Sequence, residues 1–302
     1  MLVQKKATLV MGPVLFNWQP EKWRDFYFRI ADEADVDQVC IGEVVCSKRE
    51  SFFALYMEEV FDRLGAAGKK VILSTLALVM TKREMNNMRD TISNSEANII
   101  IEANDVSAVA LLNGKPHAIG PFVNVYNEGT LTYLVERGAQ SVCLPVELGM
   151  NEISALAKTS TAQLEVMVFG RLPLAISARC YHARAHSLHK DGCQFICDQD
   201  PDGMDVETID GKPFLAVNGV QTMSHAYADF SAAVPGLLAA GVSRLRLSPH
   251  VNVDMVGVAE IFRNVTTGAI NQDEASASLA SMFGGGTFCN GYINNQVGCG
   301  YT

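Results

Sequence analysis

No apolar run in this 302-residue sequence approaches the roughly 18–20 residues that a helix needs to cross a bilayer. The longest, Val71 to Met80, is interrupted by Ser74 and Thr75. An excess of basic residues is missing as well. Against 24 Lys and Arg stand 33 Asp and Glu, a formal charge of −9, which argues against a nucleic-acid surface. The short mixed runs SKRE and TKRE read as solvated helix starts. H-E-x-x-H, G-x-S-x-G, a P-loop and a D-x-D-x-D-G calcium loop are all absent, and no chemistry resting on them is expected. Near the start, MLVQKKATLVMGPVLF carries Lys5 and Lys6 before apolar residues. Gly12 and Pro13 break that run and no small-residue cleavage site follows, so it reads as a strand, and the protein as cytoplasmic.

What is present is an alternation of short Val-, Ile- and Leu-rich runs with longer amphipathic stretches. The runs Leu9–Pro13, Gln38–Gly42, Val71–Thr75, Asn98–Ala103, His117–Val123, Ser141–Pro145, Glu165–Phe169 and Arg244–Ser248 fit strands buried on both faces. Helices are expected over Glu21–Ala34, Ser51–Ala67, Lys82–Ser93, Val106–Asn113, Thr130–Glu136, Asn151–Lys158 and Met255–Thr267. Gly68, Gly114 and Gly138 stand where helices end, and Asp105 and Asn127 where they begin. Eight such units predict a (β/α)8 barrel, the rival being an open doubly wound sheet; no G-x-G-x-x-G follows the first strand to favour the rival. The whole chain reads as one barrel domain. Residues 170–222 form an insertion before the last strand, and residues 269–302 an irregular Gly- and Asn-rich tail.

Four of the eight cysteines stand out as a metal-binding set: Cys46, then Cys180, Cys193 and Cys197 in the pattern C-x12-C-x3-C. Cys193 and Cys197 are four residues apart and would share a face on a helical turn. Cys46 follows the second strand and Cys180 the seventh, and closure of a barrel brings those strand ends near each other. Cys40 and Cys143, inside strands, read as buried core thiols, while Cys289 and Cys299 have no clear place. Spacing alone leaves zinc and an iron–sulfur cluster both open, with His182, His186 and His189 as further zinc ligands or as surface and substrate contacts.

Polar residues recur just past the strand ends: Glu43, Ser74, Thr75, Glu102, Asp105, Asn124, Tyr126, Asn127, Glu147, Arg246, Ser248 and His250. Together they predict a pocket mouth. Glu43, Asn124, Tyr126 and Arg246, with Arg179 and Arg184 flanking Cys180, are the candidate substrate contacts. No catalytic residue can be assigned from the pattern.

The segments GEVVCSKRE, ILSTLALV, VNVYN, PVEL, FGRLPLAISARC, VNGVQTMS and RLSP, in that order, resemble the collagenase-like peptidase family. The likeness is greatest to a short branch that acts in oxygen-independent ubiquinone biosynthesis, and it spans Gly12 to the CNGY ending at Tyr292. It implies a barrel fold and a [4Fe–4S] cluster on Cys46, Cys180, Cys193 and Cys197. It also implies a heterodimer with a UbiU-like sister protein, the pair supporting ring hydroxylation of a polyprenylated phenol without O2. Prephenate is the oxygen donor implied by the wider family. Peptidase-type relatives carry E-x-F-x-x-G-x-x-C; here Glu165, Met167 and Gly170 are followed by Pro173 in place of the cysteine. A hydrolase, or a non-catalytic scaffold with a structural cluster, are the alternatives.

Overall fold

Eight short runs of apolar residues pair side by side until the last meets the first. The computed structural model describes residues 7–95, 99–283 and 286–302. Strands β1 (Thr8–Met11), β2 (Gln38–Ile41), β3 (Lys70–Ser74), β4 (Ile100–Ala103), β5 (His117–Ile119), β6 (Ala139–Cys143) and β7 (Gln163–Ile176) are joined by parallel neighbour pairings. An eighth, called β11 here because three strands precede it in the insertion, runs Arg244–Leu247 and pairs in parallel with both β7 and β1. That closes the (β/α)8 barrel expected from the alternation. Of the predicted strands, Asn98–Ala103 starts on a residue outside the described ones, as do the first six residues of the N-terminal run and part of the Gly-rich tail.

The connecting helices are α1 (Pro20–Glu33), α2 (Glu50–Phe53), α3 (Met57–Ala66), α4 (Lys82–Asn94), α5 (Val106–Leu111), α6 (Glu128–Val135) and α7 (Met150–Thr159). α1 shows why they sit where they do: Pro20 opens the helix, and Trp23, Tyr27, Ile30 and Ala31 recur on one face and are buried. The Tyr27 hydroxyl receives the Val14 N–H at 3.1 Å and donates to the Cys40 carbonyl at 3.1 Å, tying the loop after β1 to β2. Asp105 and Asn127 cap α5 and α6 by accepting the N–H of Ser107 and Thr130, and Gly68, Gly114 and Gly138 all have positive φ.

The insertion grows out of the barrel wall itself. Residues 163–169 of β7 lie between β6 and β11, while its outer half pairs antiparallel with β10 (Gln221–Asp229). β9 (Pro213–Asn218) and β8 (Met204–Glu207) extend that sheet, and α8 (Tyr181–Ala185) lies in the loop before it. The proposed end of the insertion at residue 222 therefore falls inside a strand. Gly170, where β7 leaves the barrel, has φ +111°, and a Cβ there would lie 2.6 Å from Ser248 Cβ.

Two further helices precede and follow β11: α9 (Val234–Ala240), which starts with a Pro235–Gly236 pair, and α10 (Met255–Thr267). The tail expected to be irregular holds a helix, α11 (Gln272–Met282), opened by an Asn271/Glu274 capping box, and a two-residue strand, β12 (Phe288–Cys289), on β10.

Inside the barrel, Val10, Cys40 and Ile72 form a small apolar cluster next to an ionic one. Arg246 bonds both Glu102 and Glu165, and Arg244 Nε donates to Glu165 Oε2 at 2.8 Å. Burial alone would push Glu165 upward, but the two guanidinium groups outweigh it and hold its carboxyl below the usual range. Arg246 is thus not at the pocket mouth; it is 4% exposed and spent on two carboxylates. Cys40 and Cys143 are buried core thiols, as expected, and burial holds both well above the ordinary thiol range. Among the described residues no helix is long and apolar enough to span a membrane.

Candidate functional site

The four selected cysteines line one small cavity, at the ends of the barrel strands where the insertion folds back over β2. Each arrives by a different local device. After β2, Gly42 at φ +113° lets the chain turn where a Cβ would lie 2.6 Å from the Ser74 carbonyl. Glu43 then accepts the N–H groups of Val45 at 2.7 Å and Cys46 at 2.8 Å on a single oxygen. Its carboxylate shapes the Cys46 loop more than it faces solvent. Burial pushes Glu43 up to about 7, against the pull of Arg49 and those two N–H groups.

Cys180 caps α8, its sulfur receiving the Ala183 N–H at 3.4 Å. Cys193 and Cys197 do not share a helical face. They flank a chain reversal in which Gln194 and Phe195 both adopt positive φ, 50° and 55°, between two short 3-10 turns. The Phe195 ring anchors that reversal against Phe52, 4.6 Å between centroids. The buried Asn17 side chain points its amide at Cys197 Sγ from 3.5 Å. Burial raises the Cys46 and Cys180 thiols, opposed by Arg49 at the first and the Ala183 N–H at the second.

Arg49 is the residue that sequence reasoning missed. SKRE reads as a solvated helix start, yet Ser47–Arg49 is a 3-10 turn that drives Arg49 inward to 1% exposure. Its guanidinium donates to the Leu15 carbonyl at 2.8 Å and to Asn218 Oδ1 at 2.9 Å, while its buried Nε has no partner. Burial works against its charge, but Glu43, Cys197 and Cys46 outweigh it and raise its pKa. Gly219, at φ +64° in the β9–β10 turn, leaves the room: a Cβ there would stand 2.9 Å from Arg49 Nη2. A signal existed in the N-G pair at Asn218–Gly219 between two apolar runs, which marks a tight turn but not what it covers.

The predicted pocket residues scatter. Asn124 lines a cavity of about 240 Å³ at the barrel mouth with Glu147, and Tyr126 donates to Glu147 at 3.2 Å beside it. Arg179 and Arg184 are exposed and form no ion pair among the described residues. A larger cavity, about 800 Å³, adjoins the thiols and shares Cys46, Lys48, Lys190, Phe195 and Val220 with their chamber. Its far wall carries Met80, Arg83 and Glu84, and Leu78 is common to it and the barrel mouth. Of the tail cysteines, Cys289 is buried and Cys299 exposed.

Among the described residues, the set of His, Cys, Asp and Glu whose ligand atoms all gather within 4.8 Å is His182, His186 and Asp200. No three of the four thiols around their shared cavity gather that closely. His182 is fully buried, and burial lowers its pKa against the pull of Asp200. His189 is exposed and outside the group.

These features define a (β/α)8 barrel with a thiol-lined chamber at the strand ends, covered by an inserted antiparallel sheet. The model of Peptidase family U32 matches residues 22–299, and the chain belongs to that family. Among solved structures it is similar to the dihydropteroate synthase FolP from Thermus thermophilus, with 12% identity over 91% of this chain and 96% of that one, TM-score 0.42. It is also similar to a truncated 3-deoxy-D-arabino-heptulosonate 7-phosphate synthase from Thermotoga maritima, with 10% identity over 93% and 89%, TM-score 0.46.

Proposed function

We propose that this chain is a UbiV-like [4Fe–4S] protein that works with a UbiU-like partner in O2-independent hydroxylation of the aromatic ring of ubiquinone precursors. The observation that carries the reading is the convergence of Cys46, Cys180, Cys193 and Cys197 on one chamber from distant parts of the sequence. A tetrahedral zinc ion with sulfur at about 2.3 Å would hold its ligand atoms about 3.8 Å apart. A cube binding each thiolate at its own iron corner asks for a wider spread, in line with thiols that share a chamber without gathering within 4.8 Å.

The remaining lining fits a sulfur-rich anion. The Ala183 N–H points at the Cys180 sulfur and the Asn17 amide at Cys197, and the partnerless Nε of Arg49 is buried at the same chamber. Such a cluster, once bound, supplies one-electron transfer; with four protein ligands it has no open iron position. The protein's own part is to exclude water with Ile196, Phe195 and Val220 and to offset the negative charge with Arg49. The adjoining 800 Å³ cavity is large enough for an aromatic substrate or a partner's side chains within reach of Cys46. Peptidase chemistry has less support, because Pro173, paired with Met223 in the β7–β10 sheet, stands where the cysteine of the peptidase-type motif would be.

The test is iron and sulfide analysis of protein purified without oxygen. Four of each per chain and a brown colour bleached by air are expected, with Cys180→Ala lowering iron and abolishing anaerobic ring hydroxylation by the reconstituted pair. Colourless protein holding one zinc, or iron content unchanged in Cys180→Ala, would overturn the reading.

A further inference from the structure

The loop that brings three of the thiols together also carries a second donor set that uses no sulfur. We propose that His182, His186 and Asp200 bind one divalent transition-metal ion, separate from the thiol chamber. His182 is 0% exposed, with Nε2 2.7 Å from Asp200 Oδ2 and Nδ1 left without a partner. The donor toward the ion is Nε2, the ring nitrogen that faces Asp200. His186 stands one turn further on, its ring stacked on that of His182 at 6.1 Å and 10°. One ligand atom from each of the three lies within 4.8 Å of the other two.

The chain is bent to keep this arrangement. α8 is only five residues long; Ser187 then turns with φ +57°, and the Leu188 N–H folds back to the Ala183 carbonyl at 2.8 Å. Ligand bonds of about 2.0–2.2 Å would put the ligand atoms roughly 3.3–3.5 Å apart. The His182 Nε2–Asp200 Oδ2 pair, hydrogen-bonded at 2.7 Å, has to open by less than about 1 Å to admit an ion, and the exposed His186 is free to turn toward it. Two imidazoles and a carboxylate select zinc, iron or cobalt over calcium or magnesium. Three protein ligands leave coordination positions open, as in sites that bind a water or a substrate oxygen.

Cobalt(II) is the probe, titrated into chelator-washed protein purified without oxygen. One Co2+ per chain with a ligand-field spectrum lacking intense sulfur-to-cobalt charge transfer is expected. His186→Ala and Asp200→Asn should each weaken binding at least about tenfold, and His189→Ala should leave it unchanged. Because His186 is exposed, its variant retains the wild-type melting temperature, which separates lost binding from lost folding. Thiolate charge transfer, no saturable binding at micromolar Co2+, or undiminished binding by His186→Ala would overturn the proposal. Iron and sulfide analysis reads the thiol chamber alone, so failure of one site is distinguishable from failure of the other.

Discussion

Replacing Arg49 with lysine tests whether the loop bearing Cys46 depends on a forked, buried cation. The guanidinium reaches the Leu15 carbonyl from Nη1 and Asn218 Oδ1 from Nη2, two acceptors on elements far apart in sequence. Lysine keeps the charge but offers one nitrogen, so at least one of the two bonds is lost. A hydrogen bond from a charged donor contributes about 1.5–3 kcal/mol, and that is the expected destabilisation. With an unfolding entropy of about 2.1 cal/mol/K per residue, a chain of 302 residues loses about 1.6 °C per kcal/mol, or about 2–5 °C in all. Arg49→Met also removes the charge that opposes the burial of Glu43, and should cost more, about 3–5 kcal/mol. Urea denaturation and calorimetry of the metal-free, reduced protein measure both. An Arg49→Lys variant within about 0.5 kcal/mol of wild type, the behaviour of a surface substitution, would refute the argument.

Three other outcomes follow from the fold. Arg246→Met should destabilise by about 3–5 kcal/mol, because it leaves Glu102 without a cation inside the barrel and Glu165 with Arg244 alone; a double variant with Glu102→Gln that fails to recover part of the loss would count against the pairing. Burial holds His117 below its ordinary pKa, against the pull of the Lys115 carbonyl. Its contribution to stability is therefore full above about pH 6.5 and falls away as the pH drops, at up to about 1.4 kcal/mol per pH unit. His117→Asn should flatten the stability profile below about pH 6.5, and equal slopes for the two proteins would rule the residue out as the source. Gly170→Ala should cost at least about 1–3 kcal/mol from its positive φ, before the clash with Ser248 is counted; an unchanged melting temperature would show that β7 can leave the barrel by another path.

The barrel was legible because most of its strands are short runs rich in Val, Ile and Leu and largely buried. Helices with a clear apolar stripe, such as α1 and α10, were equally plain. α9 was not among the expected helices; it carries Pro235 and Gly236 in its first turn, a place that suits proline but breaks a helical pattern in the sequence. α11 was lost because the Gly-rich end of the tail coloured the reading of all of it, despite the N-x-x-E box at Asn271. The four cysteines could be chosen from polarity and spacing, since thiols in a hydrophilic stretch have no core to fill. Arg49 could not: a buried cation and a solvated one have the same local sequence, and only the distant Asn218–Gly219 turn decides between them. Arg246 illustrates the converse. Strand polarity placed it at the right end of the barrel, but not its depth, which depends on the facing Glu102 and Glu165.

The fourteen-residue strand common to the barrel and the inserted sheet makes the two a single beam. A hinged lid would need a flexible joint, and here the joint is a ladder that, though bulged, pairs β7 with β11 on the barrel side and with β10 on the sheet side. The part left outside that ladder is the span from residue 177 to residue 203, which hangs between β7 and β8 like a strap fixed at both ends.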